Sequence, residues 1–288
     1  MSAKRRVFIT VKTYPTLSKK YDELVCTAGI LDDGSWVRIY PLPFRKLDYE
    51  KRYSKYQWIE FELEKNTSDM RPETYKVINR ETLRVLGNPV GTTNCWQERK
   101  DIIFQRNKVY RDLTKLIELA HANKISLAVF KPKELIKIDV EKTDREWPTN
   151  KLALLEKKKK QFSLFQTQEE LEEIFSVVKK LPYKFFYKFS DQKGRRSRLM
   201  IEDWEIGALY WNCLKRSGGD EQKAVVKVKE KYFDQFRKLD IHLFLGTTKE
   251  HHQKRAPNPF VIIGVFYPPH PPYNSQPMLP FGNQPLAN

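Results

Sequence analysis

Along the first part of the chain, apolar residues fall in short strand-like runs, and in the last of these they alternate with polar ones. VFITVKTY (Val7 to Tyr14), ELVCTAGIL (Glu23 to Leu31), WVRIYPL (Trp36 to Leu42) and YQWIEFELE (Tyr56 to Glu64) are short and rich in β-branched and aromatic residues. Turn-forming sequence separates them, so they predict four strands. Between the second and third, LDDGSW sets Asp33-Gly34 where a two-residue hairpin loop needs positive φ angles, and these strands are expected to pair antiparallel.

The period then changes. NKVYRDLTKLIELAHANK (Asn107 to Lys124) places Val109, Leu113, Leu116, Ile117 and Ala120 on one face at helical spacing. SLAVFKP and ELIKIDVEK return to strand character, and EWPTNK ends the unit. These spacings suit a strongly curved antiparallel sheet or small barrel with helices, and an OB-like or PUA-like barrel is compatible by analogy.

Residues 151–181 read as a lysine-rich, partly helical linker, with Thr167 as an N-cap, Glu170 three residues on and Pro182 as the stop. In YKFFYKFSD, Phe185, Tyr187 and Phe189 fall on one face and Lys184, Phe186 and Lys188 on the other. Two helical segments follow, IEDWEIGALYWNCLKRS and EQKAVVKVKEKYFDQFRK, then the strands IHLFLG and NPFVIIGVFYP. Beyond Pro268 the chain is proline-rich and nearly uncharged, which predicts an extended tail. The expected fold is α+β: a β-rich domain over 1–150, the linker, a smaller α+β domain over 182–268 and a disordered tail over 269–288.

Charge adds a functional direction. The chain of 288 residues carries 53 Lys and Arg against 36 Asp and Glu, a formal charge of +17. Such an excess concentrates polyanions around it, and nucleic acid is the commonest polyanion in a cell. Fourteen Tyr, 17 Phe and 6 Trp supply rings on which bases can stack. The three cysteines, Cys26, Cys95 and Cys213, are dispersed and contain no C-x-x-C pair, which fits a reducing compartment rather than a disulfide framework or zinc knuckle. No window approaches the apolar length of a membrane span, so a cytoplasmic protein without a membrane partner is expected.

Four lysines, Lys157 to Lys160, stand directly before Gln161-Phe162-Ser163-Leu164-Phe165. This segment resembles the short peptide by which bacterial DNA polymerases and repair proteins dock on the replication sliding clamp. The resemblance implies that Gln161 bonds at the groove rim while Leu164 and Phe165 fill its apolar pocket, with Phe162 where leucine is commoner. The alternative is that these side chains pack on the protein's own second domain. Gln276-Pro277-Met278-Leu279-Pro280-Phe281 in the tail repeats the outline.

Two basic clusters fall in expected loops of the second domain: KGRRSR, with Lys193, Arg195, Arg196 and Arg198, and KEHHQKR, with Lys249, Lys254 and Arg255. Loops held by a rigid scaffold bring such side chains to phosphates, and a shared face for the two clusters is the expectation. Asp191, Asp203, Glu205 and His251 are the candidates for metal-dependent nuclease chemistry, which requires convergent oxygen ligands for Mg²⁺ or Mn²⁺. The competing reading is that Glu202, Asp203 and Glu205 begin a helix, where negative charge opposes the dipole. No G-x-S-x-G, P-loop, G-x-G-x-x-G or H-E-x-x-H occurs, so no cofactor is expected outside the nuclease alternative.

The series Ile201-Glu202-Asp203-Trp204-Glu205, Phe244-Leu245-Gly246 and Asn258-Pro259-Phe260-Val261-Ile262-Ile263-Gly264-Val265-Phe266 resembles a group of uncharacterised prokaryotic proteins. Cysteines and a Gly-His pair precede Asp-Trp-Glu in some of them. This chain has Asp191 to Arg198 there, so no metal site carries over. The expectation is a nucleic-acid-binding accessory protein in DNA repair, replication or phage defence, with a nuclease and a protein-interaction scaffold as the alternatives.

Overall fold

The computed structural model describes residues 3–18, 22–42, 44–162 and 178–271. Its first sheet runs through β1 (Ala3–Lys12), β2 (Thr16–Ser18), β3 (Asp22–Leu31), β4 (Trp36–Leu42), β5 (Trp58–Lys65), β6 (Thr74–Val77) and β7 (Arg84–Leu86). The strand order is β1-β3-β4-β6-β5, and β5 pairs again with β1, so five strands close a barrel while β2 and β7 pair along its rim. Closure removes the exposed edges that a short curved sheet would otherwise present. The hairpin at LDDGSW is closed by Leu31 N donating to Ser35 O, with Gly34 at φ 80°; its loop is one residue longer than the two expected.

Alternation decides what fills the barrel. Val7 and Ile9 of β1 join Val25, Val37, Ile39, Ile59, Phe61 and Leu63 in the interior. Phe8 points outward, and a bulge between Ile9 and Val11 shifts the phase so that Val11 also faces out. Trp204 from the second half packs against one end of the barrel, edge-on to Phe44 at 5.7 Å.

α1 (Thr93–Phe104) leads to β8 (Val109–Tyr110), α2 (Leu113–His121) and β9 (Leu127–Phe130). The helix expected from Asn107 therefore starts six residues later. Asp112 caps it by accepting from Lys115 N at 3.1 Å, and Val109 instead pairs in parallel with Val129. Leu113, Leu116, Ile117 and Ala120 remain its buried face.

The second half contains β10 (Glu134–Lys142), α3 (Thr149–Phe162), β11 (Tyr183–Ser190), β12 (Arg196–Met200), α4 (Trp204–Arg216), α5 (Glu221–Lys229), β13 (His242–Thr247), α6 (Lys249–Gln253) and β14 (Phe260–Phe266). β10 pairs with β11 along eight residues, and β9 pairs with β13. The division expected at residue 150 thus falls inside hydrogen-bonded sheets: strands before it share a core with strands after the expected linker. Tyr183, Phe185, Tyr187 and Phe189 alternate into that core, as the sequence pattern predicts.

The sheet β14-β13-β9-β8 explains why the two halves are one body. Ala128, Phe130, Leu243, Leu245, Ile262 and Val265 face the core built on α2, α4 and β11. Leu127, Val129, Phe244, Val261, Ile263 and Phe266 face the opposite way, against Phe8, Val11, Ala28 and Ile30 on the outside of the barrel. Both faces being covered, β13 and β14 read as continuous apolar runs and not as alternating ones. No helix among the described residues is long and apolar enough to cross a membrane.

Candidate functional site

The functional geometry lies at the seam between barrel and second half. Beyond β1 the chain stays extended, and Thr13 bridges to Asp203 while Tyr14 N donates to Glu202 O at 2.9 Å. Glu202 N donates in turn to Ile262 O at 2.8 Å. Asp203 then caps α4, accepting from Glu205 N at 3.3 Å, and its other oxygen accepts from Val265 N at 3.2 Å.

The buried Lys55, contributed by the barrel, donates to Asp203 at 3.3 Å and to Glu205 at 2.9 Å. Burial alone would lower the Lys55 ammonium, but Asp203 and then Glu205 override it and hold it well above its ordinary value. Burial pushes the Asp203 carboxyl up to about 6, with Lys55 opposing. At neutral pH both stay ionised, so these carboxylates serve an internal ion pair and the start of a helix. Among the described residues, no group of three or more His, Cys, Asp or Glu is arranged to hold a metal ion.

Asp191 is placed elsewhere. Fully buried, it accepts from Leu113 N at 3.1 Å and from Lys193 N and Arg195 N at 2.9 Å each, so it ties the β11–β12 turn to the start of α2. His251 is exposed on α6, its backbone N–H capped by Thr248 Oγ1 at 3.1 Å.

The two basic clusters meet opposite ends of α2. Arg195 donates to Thr114 Oγ1 in its first turn, whereas His121 in its last turn bonds Ala256 O, directly after Arg255. Nine helical residues span about 13 Å, so the clusters do not form one contact group. Arg198 is engaged by Asp139 and Glu141, and Lys254 by Glu250. Lys193, Arg196 and Arg255 stand exposed. Of the seven, Lys249 faces the seam.

That seam holds a half-open cavity of about 380 Å³. Its lining includes five cationic side chains, Arg38, Arg71, Lys180, Lys184 and Lys249, against one carboxylate, Glu202, with Tyr14, Tyr40, Trp147 and Tyr183 as rings. Arg38 is buried and, among the described residues, lacks a directly bonded carboxylate: it donates to Thr74 Oγ1 at 3.2 Å, Ser126 Oγ at 2.6 Å and Ser126 O at 3.0 Å. Burial, then the neighbouring Arg71, pulls its guanidinium down to about 10, so it keeps its charge at neutral pH. Arg71 forks onto Asp69 and donates to Thr247 O at 2.6 Å. Thr247 Oγ1, buried beside the cavity, has no hydrogen-bond partner among the described residues. Glu202 is pushed up to about 6 by burial, with Lys184 opposing.

Sequence reasoning missed Arg38, Arg71, Tyr14 and Trp147. Only Arg38 left a signal: a lone charge between Val37 and Ile39 in an otherwise apolar strand, where alternation turns it out of the barrel toward Ser126. Gln161 and Phe162 are the last residues of α3, while Leu164, Phe165 and the tail segment from Gln276 to Phe281 lie outside the described residues.

Two family models match the chain: a domain of unknown function, DUF8758, over residues 3–105, and a second, DUF8757, over residues 109–281. Their junction falls between α1 and β8. No curated protein matches.

Proposed function

The chain belongs to the DUF8757 family, whose description assigns no activity, and from the chain's own residues we propose that it is a nucleic-acid-binding protein. The observation that carries this reading is the seam cavity, whose lining includes Arg38, Lys184 and Lys249, with Arg71 and Lys180 paired to Asp69 and Asp144, beside four aromatic rings and one carboxylate. A site with that lining attracts an anion and offers faces for a planar ring, the two properties that a nucleotide combines. The net charge of +17 extends the attraction to a longer strand.

The protein acts in this reading as a cytoplasmic accessory factor in repair, replication or defence, with Gln161 to Phe165 as its tether to a partner such as a sliding clamp. Asp203 and Glu205 are engaged by Lys55, so cation-lined binding accounts for the seam better than metal-dependent cleavage does.

The test is fluorescence anisotropy with labelled single-stranded DNA, duplex DNA and RNA over a salt series, with and without Mg²⁺ or Mn²⁺, and a denaturing gel of the same samples. Intact strands bound with affinity that falls steeply with salt are expected. Lys184→Glu with Lys249→Glu should lower the salt slope by about 2, one unit for each lost phosphate contact. Lys193→Glu with Arg196→Glu should change it less. No binding at low salt overturns the reading, and metal-dependent shortening replaces it with the nuclease.

A further inference from the structure

Glu202 is the one cavity residue whose chemistry runs against its surroundings. Among the described residues that line the cavity, it alone carries a carboxylate. A phosphate-binding site gains nothing from a negative charge, because it repels the ligand. A carboxylate there is useful if the ligand also brings N–H donors.

The position is built, not incidental. Glu202 is fixed on both sides of its backbone, by Ile262 O and by Tyr14 N, at 2.8 and 2.9 Å. Tyr14, its neighbour across the seam, is also held: its hydroxyl donates to Lys179 O at 2.8 Å and accepts from Trp211 Nε1 at 2.8 Å. A pinned ring and a carboxylate on a backbone fixed to it line the same cavity, one offering an aromatic surface and the other an acceptor. Separately, Arg38 bonds Thr74 in the 66–74 loop, and Arg71, paired with Asp69 of that loop, donates to Thr247 O, whose Oγ1 has no partner among the described residues; with Lys249 this gives the cavity a second part that carries net positive charge. At about 380 Å³ the cavity sits near the low end of the roughly 300–1,000 Å³ of small-ligand pockets, which suits one nucleotide and not a run of them.

Resting on the nucleic-acid reading above, we propose that the seam cavity takes a single guanine nucleotide, with Glu202 accepting from the base and the Arg38, Arg71 and Lys249 side facing its phosphate. Guanine is the base whose pairing edge presents two adjacent donors, N1–H and the N2 amino group, to match the two oxygens of a carboxylate. Cytosine and adenine offer one amino group beside a ring acceptor, and thymine one N–H between two carbonyls, so each sets a lone pair against the carboxylate.

The experiment uses the full chain and fluorescein-labelled thymidine octamers carrying one central G, A or C, with the all-thymidine octamer as reference and GMP as competitor. The G-containing strand should bind about tenfold or more tightly than the reference, in line with one bidentate base contact. Glu202→Gln should bring the four strands to within about twofold of one another. Competition by GMP that Glu202→Gln abolishes assigns the pocket to a free nucleotide as well; competition only by strands assigns it to a nucleotide held by flanking phosphates.

Equal binding of all four octamers by the unaltered protein overturns the guanine assignment and leaves the broader reading standing, as does preference for A or C. Preference that survives Glu202→Gln removes Glu202 from the contact. Failure of every octamer to bind overturns both readings. The comparison among octamers needs no variant, so misfolding of Glu202→Gln does not protect the proposal.

Discussion

Lys55 Nζ lies 3.3 Å from Asp203 Oδ2, both side chains are buried, and the pair joins the barrel to the start of α4. The pair holds because Asp203 also accepts two backbone N–H groups and Lys55 has a second acceptor in Glu205. Removing Lys55 leaves Asp203 buried without its counter-charge. Lys55→Met should therefore destabilise the protein by about 3–5 kcal/mol in urea unfolding. Lys55→Met with Asp203→Asn should recover part of that loss, because Asn keeps an oxygen for the backbone donors. A loss below about 1 kcal/mol in the single variant would show that water reaches the pair.

Lys12 gives a pH signature. Its ammonium sits over the Phe44 ring at 4.4 Å and donates to Tyr53 O at 3.1 Å, and burial, then Lys55, lowers its pKa from 10.5 to about 8. Between about pH 8 and 10.5 the unfolded chain holds a proton that the folded chain has released, so unfolding free energy rises with pH across that window. The stability of the unaltered protein relative to Lys12→Met should climb by roughly 2 kcal/mol from pH 8 to 10.5. A flat difference would mean that Lys12 titrates like an exposed lysine.

Gly207 tests the positioning of Tyr14. A Cβ added there would lie 2.2 Å from Tyr14 Cδ2 and 2.5 Å from Cε2. On an open helix surface Gly→Ala stabilises by about 1 kcal/mol. Here the ring is pinned by Lys179 O and Trp211, so Gly207→Ala should lower stability instead, by about 1–3 kcal/mol, and weaken strand binding in the same samples. A rise in melting temperature would show that the ring moves aside freely.

Local elements were legible in the sequence because local pattern dictates them. β1, β3, β4 and β5, the Tyr183 to Phe189 alternation and the apolar β13 and β14 follow from period and residue type. What joins them was not. Nothing in Glu134 to Lys142 states that it pairs with Tyr183 to Ser190 across an intervening helix, so the boundary drawn at residue 150 divides one sheet. The acids of the Ile201 to Glu205 segment stood out, but their fates diverge through partners distant in sequence. Asp203 turns to Lys55, and Glu202 to the cavity. The basic clusters drew the eye by density, whereas the buried cations Arg38 and Arg71 are isolated in sequence and meet only through the fold.

Arg38 separates charge from scaffolding at the cavity. Its guanidinium supplies positive potential to the lining and also fastens β4 to Ser126, ahead of β9, through Nη1 and Nη2. Arg38→Lys keeps the charge but loses the fork, and Arg38→Met loses both, so each should cost about 1.5–3 kcal/mol of stability, the worth of hydrogen bonds made by a charged group. Binding should part them: at low salt Arg38→Lys should retain most of the strand affinity, and Arg38→Met should lose about tenfold, because only the second removes a positive charge from a poorly screened site. Salt titrations of both variants, run at a temperature where each is folded, measure this. Equal affinities for the two would mean that Arg38 braces the seam without contributing to the field that draws the ligand.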